Sequence, residues 1–72
     1  MNNIKTLRLD ARLSQKALAK LAGCSEASIV RYESGKRIMR ITSARKIADA
    51  LHVTLGQLLG DEPIEIGGNQ YE

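Results

Sequence analysis

With 72 residues, one cysteine and no apolar run near the roughly 18 residues of a membrane span, the chain is one small domain without a transmembrane helix, an internal disulfide or a Cys-Cys metal site. Its net charge of +3 is uneven: residues 1–60 hold all eleven bases and four acids, whereas residues 61–72 hold four acids and no base. A basic body of net charge +7 suits a polyanionic partner, or is simply a soluble basic surface. The lone cysteine fits a cytoplasmic location, and nothing predicts a cofactor.

The spacing of apolar residues predicts an all-α fold of five helices, because strand-like alternation is absent through residue 60. Ser14, Ser25 and Thr54 stand where the second, third and fifth helices need N-caps. Gly23 and Gly60 follow helices, as residues that adopt a left-handed conformation do. The expected helices cover roughly 2–12, 15–22, 26–34, 42–52 and 55–59.

Residues 61–72 differ in composition from the body, with Pro63, Gly67-Gly68 and four acids. Such chain ends are commonly mobile, so we expect a mobile acidic tail. The alternative is that Ile64-Glu65-Ile66 adds a strand to a partner or contributes to a dimer contact. The sequence therefore divides into a helical domain, 1–60, and a tail, 61–72.

Residues 15–33, QKALAKLAGCSEASIVRYE, predict two short helices joined by a turn at 23–25. Gly23 supplies a positive φ, Cys24 is a small apolar plug rather than a redox sensor, and Ala19 is small where the helices cross. The second helix should protrude as a ridge, and an α-helix fits the major groove of B-DNA. The apolar seam between the two helices is expected to contain Leu18, Ala22, Ile29 and Tyr32.

A wider set of residues matches a known pattern: Leu13-Ser14-Gln15, Leu18-Ala19, Gly23, Ser25, Ser28-Ile29, Glu33-Ser34-Gly35-Lys36, Ile47-Ala48, Leu51, Val53 and Leu58-Leu59. Over residues 4–60 the chain resembles the phage-repressor and Cro-like helix-turn-helix family in its compact five-helix form. The resemblance implies a lambda-repressor-like fold with the helix-turn-helix at helices 2 and 3. It also implies a prokaryotic or phage regulator of transcription that binds double-stranded DNA, most simply a repressor on an inverted-repeat operator.

Two positions depart from the family pattern. Many members have Gly where Arg12 stands, which implies a strained Arg12 or one that reaches a phosphate. Many have Pro where Met39 stands, which leaves the start of the fourth helix open.

In this family the N-terminal turn of the third helix enters the groove. Glu26 is expected either to accept a hydrogen bond from cytosine or only to interact favourably with the helix dipole, and Ala27 is expected to contact a thymine methyl. Arg31 grips either a guanine or a phosphate, and both alternatives stay open. The resemblance thus implies base reading by Glu26, Ala27, Ser28 and Arg31.

The family resemblance also implies contacts to the DNA backbone and a structural lock. Arg8 and Glu33 are expected to pair and to lock the first helix onto the third, with Arg8 also presented to a phosphate in one interpretation. Gln15 is expected to brace the third helix. Lys36, Arg37 and Arg40 lie in the loop after the third helix and are expected to bind phosphates; the alternative is that they form a solvated basic loop. The implied phosphate-binding residues are Gln15, Ser25, Lys36, Arg37 and Arg40.

We expect a homodimer formed through Leu55, Leu58, Leu59 and the tail, because Leu55 and the tail isoleucines are difficult to bury within a monomer. An alternative function is that of an antitoxin, which binds DNA and uses its acidic tail to bind a toxin protein. An enzyme is not expected, since the chain has one His, one Cys, no Gly-rich phosphate loop and no evident carboxylate pair.

Overall fold

Five α-helices make up most of residues 2–61, the part of the chain that the computed structural model describes. The helices are α1 (Ile4–Asp10), α2 (Gln15–Ala22), α3 (Glu26–Glu33), α4 (Ile41–Leu51) and α5 (Leu55–Leu59). The predicted all-α fold of five helices is therefore confirmed, and no strand occurs among the described residues. None of these helices has the length and apolar character needed to cross a membrane. The predicted mobile tail lies outside the described residues from position 62 onward.

The helix ends follow local side-chain chemistry. The Ser14 hydroxyl accepts a hydrogen bond from the Ala17 amide at 2.9 Å, and Thr54 forms a reciprocal capping box with Gln57. Such caps satisfy amides that a helix N-terminus leaves unpaired. At the other ends, Gly23 and Gly60 adopt φ values of 72° and 90°, as predicted.

The first helix is shorter than predicted. It ends at Asp10, and Arg12 takes a left-handed conformation with φ of 60°. In that conformation the Leu13 amide donates to the Arg8 carbonyl at 3.0 Å, which closes the helix end. The predicted range of roughly 2–12 is therefore wrong by two residues at each end, and at the C-terminal end Arg12 has already left the helical conformation.

Replacing Arg12 with Gly is expected to stabilise the fold by about 0.5–1 kcal/mol. A left-handed conformation costs a residue with a Cβ about 1–2 kcal/mol, and the greater freedom of glycine in the unfolded chain offsets part of that gain. Urea unfolding measures the change. Arg12→Ala is the matched control, since it removes the same charge but keeps the Cβ, and it should give no gain. Equal stabilisation by both variants would show that charge, not backbone strain, is the cause.

The fourth helix starts without a side-chain cap. Arg40 occupies the N-cap position with no side-chain hydrogen bond to the helix, and Met39 packs half-buried against the core. The helix begins and ends one residue earlier than the predicted range of 42–52. His52 ends it in a left-handed conformation with φ of 58°.

The core is a single cluster of aliphatic residues with one tyrosine. Helix α2 packs on α3 and α4, and α5 packs on α1 and α4. Helix α5 is thus a part of the monomer core and closes it beside the N-terminus. The buried apolar residues are Ile4, Leu7, Leu18, Ala19, Ala22, Ile29, Tyr32, Ala44, Ile47, Ala48, Leu51 and Leu58.

The burial of Leu58 corrects one predicted dimer contact. Leu58 is 0% exposed, and its carbonyl accepts a hydrogen bond from the Asn3 amide at 2.8 Å. A side chain already enclosed by its own subunit has no surface left for a partner. Leu55 and Leu59 are only partly buried and pack against the core, so they keep some surface.

Candidate nucleic-acid interface

The turn between α2 and α3 holds the two helices in a fixed crossing. The Cys24 amide donates to the Ala19 carbonyl at 2.9 Å, which folds the chain back over the end of α2. Ala19 is buried at the crossing, where a larger side chain would separate the helices. The predicted seam of Leu18, Ala22, Ile29 and Tyr32 is buried in full.

Cys24 lies half-buried behind this turn and packs against the core. Burial raises the pKa of its thiol, and the nearby Lys46 ammonium opposes that rise only in part. The thiol is therefore kept in its neutral form, which suits a small apolar plug and not a nucleophile. No group of three potential metal ligands occurs among residues 2–61.

Helix α3 divides into a buried face and an outward face. Ile29 and Tyr32 point into the core, whereas Glu26, Ala27 and Arg31 are exposed, as is Val30. The outward residues carry one acid, one base and two apolar groups, a set that can pair with base edges and thymine methyls. The helix therefore presents a chemically mixed ridge.

The N-terminal turn of α3 is ordered by two serines. The Ser25 hydroxyl accepts from the Ser28 amide at 3.1 Å, and the two hydroxyls lie 2.9 Å apart. Ser25 is exposed and Ser28 half-buried. Glu26 directly follows the cap, where its charge also favours the helix dipole.

Arg8 and Glu33 form the predicted ion pair between α1 and the end of α3. Arg8 Nε lies 2.6 Å from Glu33 Oε2, and Nη2 lies 3.2 Å from Oε1, so the contact is bidentate. The two side chains are only 8% and 6% exposed. The remaining Arg8 nitrogen, Nη1, donates to the Leu13 carbonyl at 2.8 Å. All three nitrogens of Arg8 thus have partners within the domain, which argues against the interpretation that Arg8 is presented to a phosphate.

Gln15 joins this lock from the start of α2. Its Nε2 donates to Glu33 Oε1 at 3.1 Å, so one carboxylate links α1, α2 and α3. The side chain is half-buried, and this places it at the boundary between the lock and the solvent. The bracing contact is present, and phosphate binding by Gln15 stays a prediction.

A basic loop follows α3, with Lys36, Arg37 and Arg40 all exposed. Within residues 2–61 the structure shows no ion pair for these three side chains, and the Lys36 amide is held by the Arg31 carbonyl at 3.1 Å. Exposed cations that follow the ridge of α3 in the chain suit a polyanion that contacts the ridge. The three loop bases are therefore open to solvent, and phosphate binding by them stays a prediction.

Changing Lys36 or Arg37 to Ala is expected to weaken binding to all DNA sequences about equally, because phosphate contacts carry no direct sequence information. The slope of log affinity against log salt should fall by roughly one for each variant. Fluorescence anisotropy over a salt series measures both quantities. Lys5→Ala on α1 is the matched control and should change little. A change in sequence ranking without a change in salt slope would contradict phosphate binding.

Two side-chain hydrogen bonds from the N-terminal segment were not predicted from the sequence. The Asn2 side chain donates from Nδ2 to the Tyr32 carbonyl at 3.0 Å, near the end of that helix. The Asn3 side chain likewise donates to the Gln57 carbonyl at 2.8 Å. Both contacts span long stretches of sequence, so no local periodicity reveals them.

Comparison with protein families supports this geometry. A family model described as helix-turn-helix matches residues 4–58, which is more than half of the chain. The matched range contains every described residue to which a DNA contact has been assigned above. A comparison with curated proteins found no match.

Proposed function

Because this chain belongs to the phage-repressor and Cro-like helix-turn-helix family of DNA-binding transcription regulators, we propose that it is a repressor that binds an inverted-repeat operator as a homodimer. The observation that carries the proposal is the outward face of α3, which is exposed while its opposite face is locked into the core. A rigid, protruding helix of this kind suits insertion into the major groove.

We assign base reading and phosphate binding to different residues according to their exposure and charge. Base reading is assigned to the first turns of α3 and to Arg31, which lies one turn beyond Ala27. Backbone positioning is assigned to the residues on either side of that helix. The proposed base readers are Glu26, Ala27, Ser28 and Arg31, and the proposed phosphate binders are Gln15, Ser25, Lys36, Arg37 and Arg40.

The proposed dimer contact uses the partly buried Leu55 and Leu59 of α5. Residues 1–60 then form the DNA-binding domain, and residues 61–72 are a separate acidic tail. A dimer of such domains presents two recognition helices related by a two-fold axis. That symmetry predicts the symmetry of the DNA site.

Binding sites selected from a random DNA library are expected to be inverted repeats. The half-site centres should lie roughly one helical turn apart, about 10 base pairs. Sequencing of the bound fraction measures the arrangement, and sedimentation of the complex measures the number of chains on each site. Selected sites with a single unrepeated half, bound by one chain, would contradict the dimer.

An antitoxin is the second candidate function. It is favoured by the charge of the tail, which carries four acids and no base and is therefore unsuited to contact DNA itself. In that case the gene lies beside one for a small toxin, and co-expression yields a stable complex of the two proteins that depends on the tail.

A further inference from the structure

Two isoleucines are exposed at the basic loop, one within it and one at the start of α4. Ile38 is 93% exposed and Ile41 is 53% exposed, and both lie among the cations Lys36, Arg37 and Arg40. Single exposed apolar residues are ordinary, but these two lie three positions apart in the sequence and beside three cations, a combination that suits a partner with both acidic and aliphatic side chains. These five residues are called the loop patch below.

Phosphate binding alone does not account for the loop patch. Cations suffice to neutralise phosphates, and a branched aliphatic side chain adds nothing to that contact. A second copy of the loop patch is also a poor occupant, because it would bring three more cations against the first three. The fitting occupant combines acidic and aliphatic side chains.

The chain itself carries such a segment just beyond the described residues. Residues 62–66, Glu62-Pro63-Ile64-Glu65-Ile66, contain two glutamates and two isoleucines. We propose that this segment docks on the loop patch of its own chain when DNA is absent, and that DNA phosphates displace it. The inference rests on the proposed function, since it makes the tail an internal competitor of DNA at the phosphate-binding loop.

The connectivity of the fold supports contact within one chain. The Leu58 carbonyl of α5 is bonded to Asn3, and the neighbouring Asn2 is bonded to the Tyr32 carbonyl, three residues before Gly35. The end of α5 and the start of the basic loop therefore meet the same short N-terminal segment. Beyond Asp61, the five residues of the segment can reach at most roughly 17 Å.

Tethering makes even a weak contact effective. A short linker gives its ligand an effective concentration in the millimolar range, so docking with a dissociation constant of that order is half-occupied. DNA affinity falls in proportion to the fraction of chains with a free loop. We therefore expect release of the segment to tighten DNA binding by about 2–10-fold.

The first test omits DNA. Backbone amide shifts are recorded for the full chain and for the variant Ile64→Ser/Ile66→Ser, which keeps the charge. Docking predicts that the amides of residues 36–41 shift in this variant, and that Tyr71→Ser, a tail change outside the segment, leaves them in place. Unmoved loop amides would overturn the proposal. A loop shift that grows with protein concentration would overturn it as well, because the occupant would then be the tail of a second copy.

The second test measures affinity for a random-sequence duplex at fixed salt. Ile64→Ser/Ile66→Ser and Glu65→Gln should each bind more tightly than the unchanged protein, whereas Glu72→Gln, which removes an equal charge outside the segment, should have a smaller effect. An equal gain from both glutamate variants, with none from the isoleucine variant, would show only general repulsion of DNA by the tail and would overturn docking. If no variant binds any duplex, the proposed function fails while the first test still decides the docking.

Discussion

Replacing Glu33 with Leu is expected to remove about 3–5 kcal/mol from the free energy of unfolding, because it leaves the Arg8 charge buried without a counterion. Both side chains are more than nine-tenths buried, so solvent screens the pair very little. Arg8→Met should cost a similar amount for the mirror-image reason. The core of a domain of this size rarely supplies more than about 3–5 kcal/mol, so each single variant is expected to be largely unfolded.

The double variant Arg8→Met/Glu33→Leu distinguishes a charge effect from lost packing. It removes both buried charges, so it should be more stable than either single variant. The control is Lys5→Met, which lies on the same helix as Arg8, α1. Because Lys5 is exposed, this substitution should change the free energy of unfolding by no more than about 0.5 kcal/mol. Urea unfolding followed by circular dichroism measures the four variants and the unchanged protein. If the single variants unfold at the same urea concentration as the unchanged protein, the ion pair does not contribute to stability.

Changing Arg31 to Ala is expected to cost about 1–3 kcal/mol on the preferred DNA site if its guanidinium grips a guanine. The side chain is exposed on the outward face of α3, and the structure shows no ion pair for it within residues 2–61. Preference should relax at one position of each half-site, and affinity for random DNA should fall less than affinity for the preferred site. Anisotropy on the preferred site and on its single-base variants measures the effect.

The control for this experiment is Arg45→Ala, which removes the same charge from the exposed surface of α4. It should leave the ranking of sites unchanged. If Arg31→Ala lowers affinity uniformly and preserves the ranking, Arg31 is a phosphate clamp. Base reading would then rest with Glu26, Ala27 and Ser28.

Elements governed by local chemistry were predictable from the sequence. Ser14, Ser25 and Thr54 cap the helices that they were expected to cap, because a hydroxyl accepts a hydrogen bond from an amide only three residues away. Gly23 and Gly60 end helices for an equally local reason. The family resemblance added what local patterns lack, namely the contact between Arg8 and Glu33.

Features that depend on distant parts of the chain were not predictable in this way. The five-residue helix α5 is too short for apolar spacing to show which leucine faces inward, and the packing of α5 on α1 buries Leu58. The hydrogen bonds from Asn2 and Asn3 join residues 30 and 54 positions apart. The exposure of Ile38 was equally hidden, because an aliphatic residue in a loop is as easily buried as exposed.

The two faces of α3 have a consequence for how this protein can change over generations. Ile29 and Tyr32 hold the helix in place, whereas Glu26, Ala27, Val30 and Arg31 lie outside the core. Substitutions at exposed positions usually alter stability by no more than about 0.5 kcal/mol. A lineage can therefore acquire a new target sequence through a few mutations without first acquiring a new scaffold, and the same outward residues can be grafted as a set onto a sister protein.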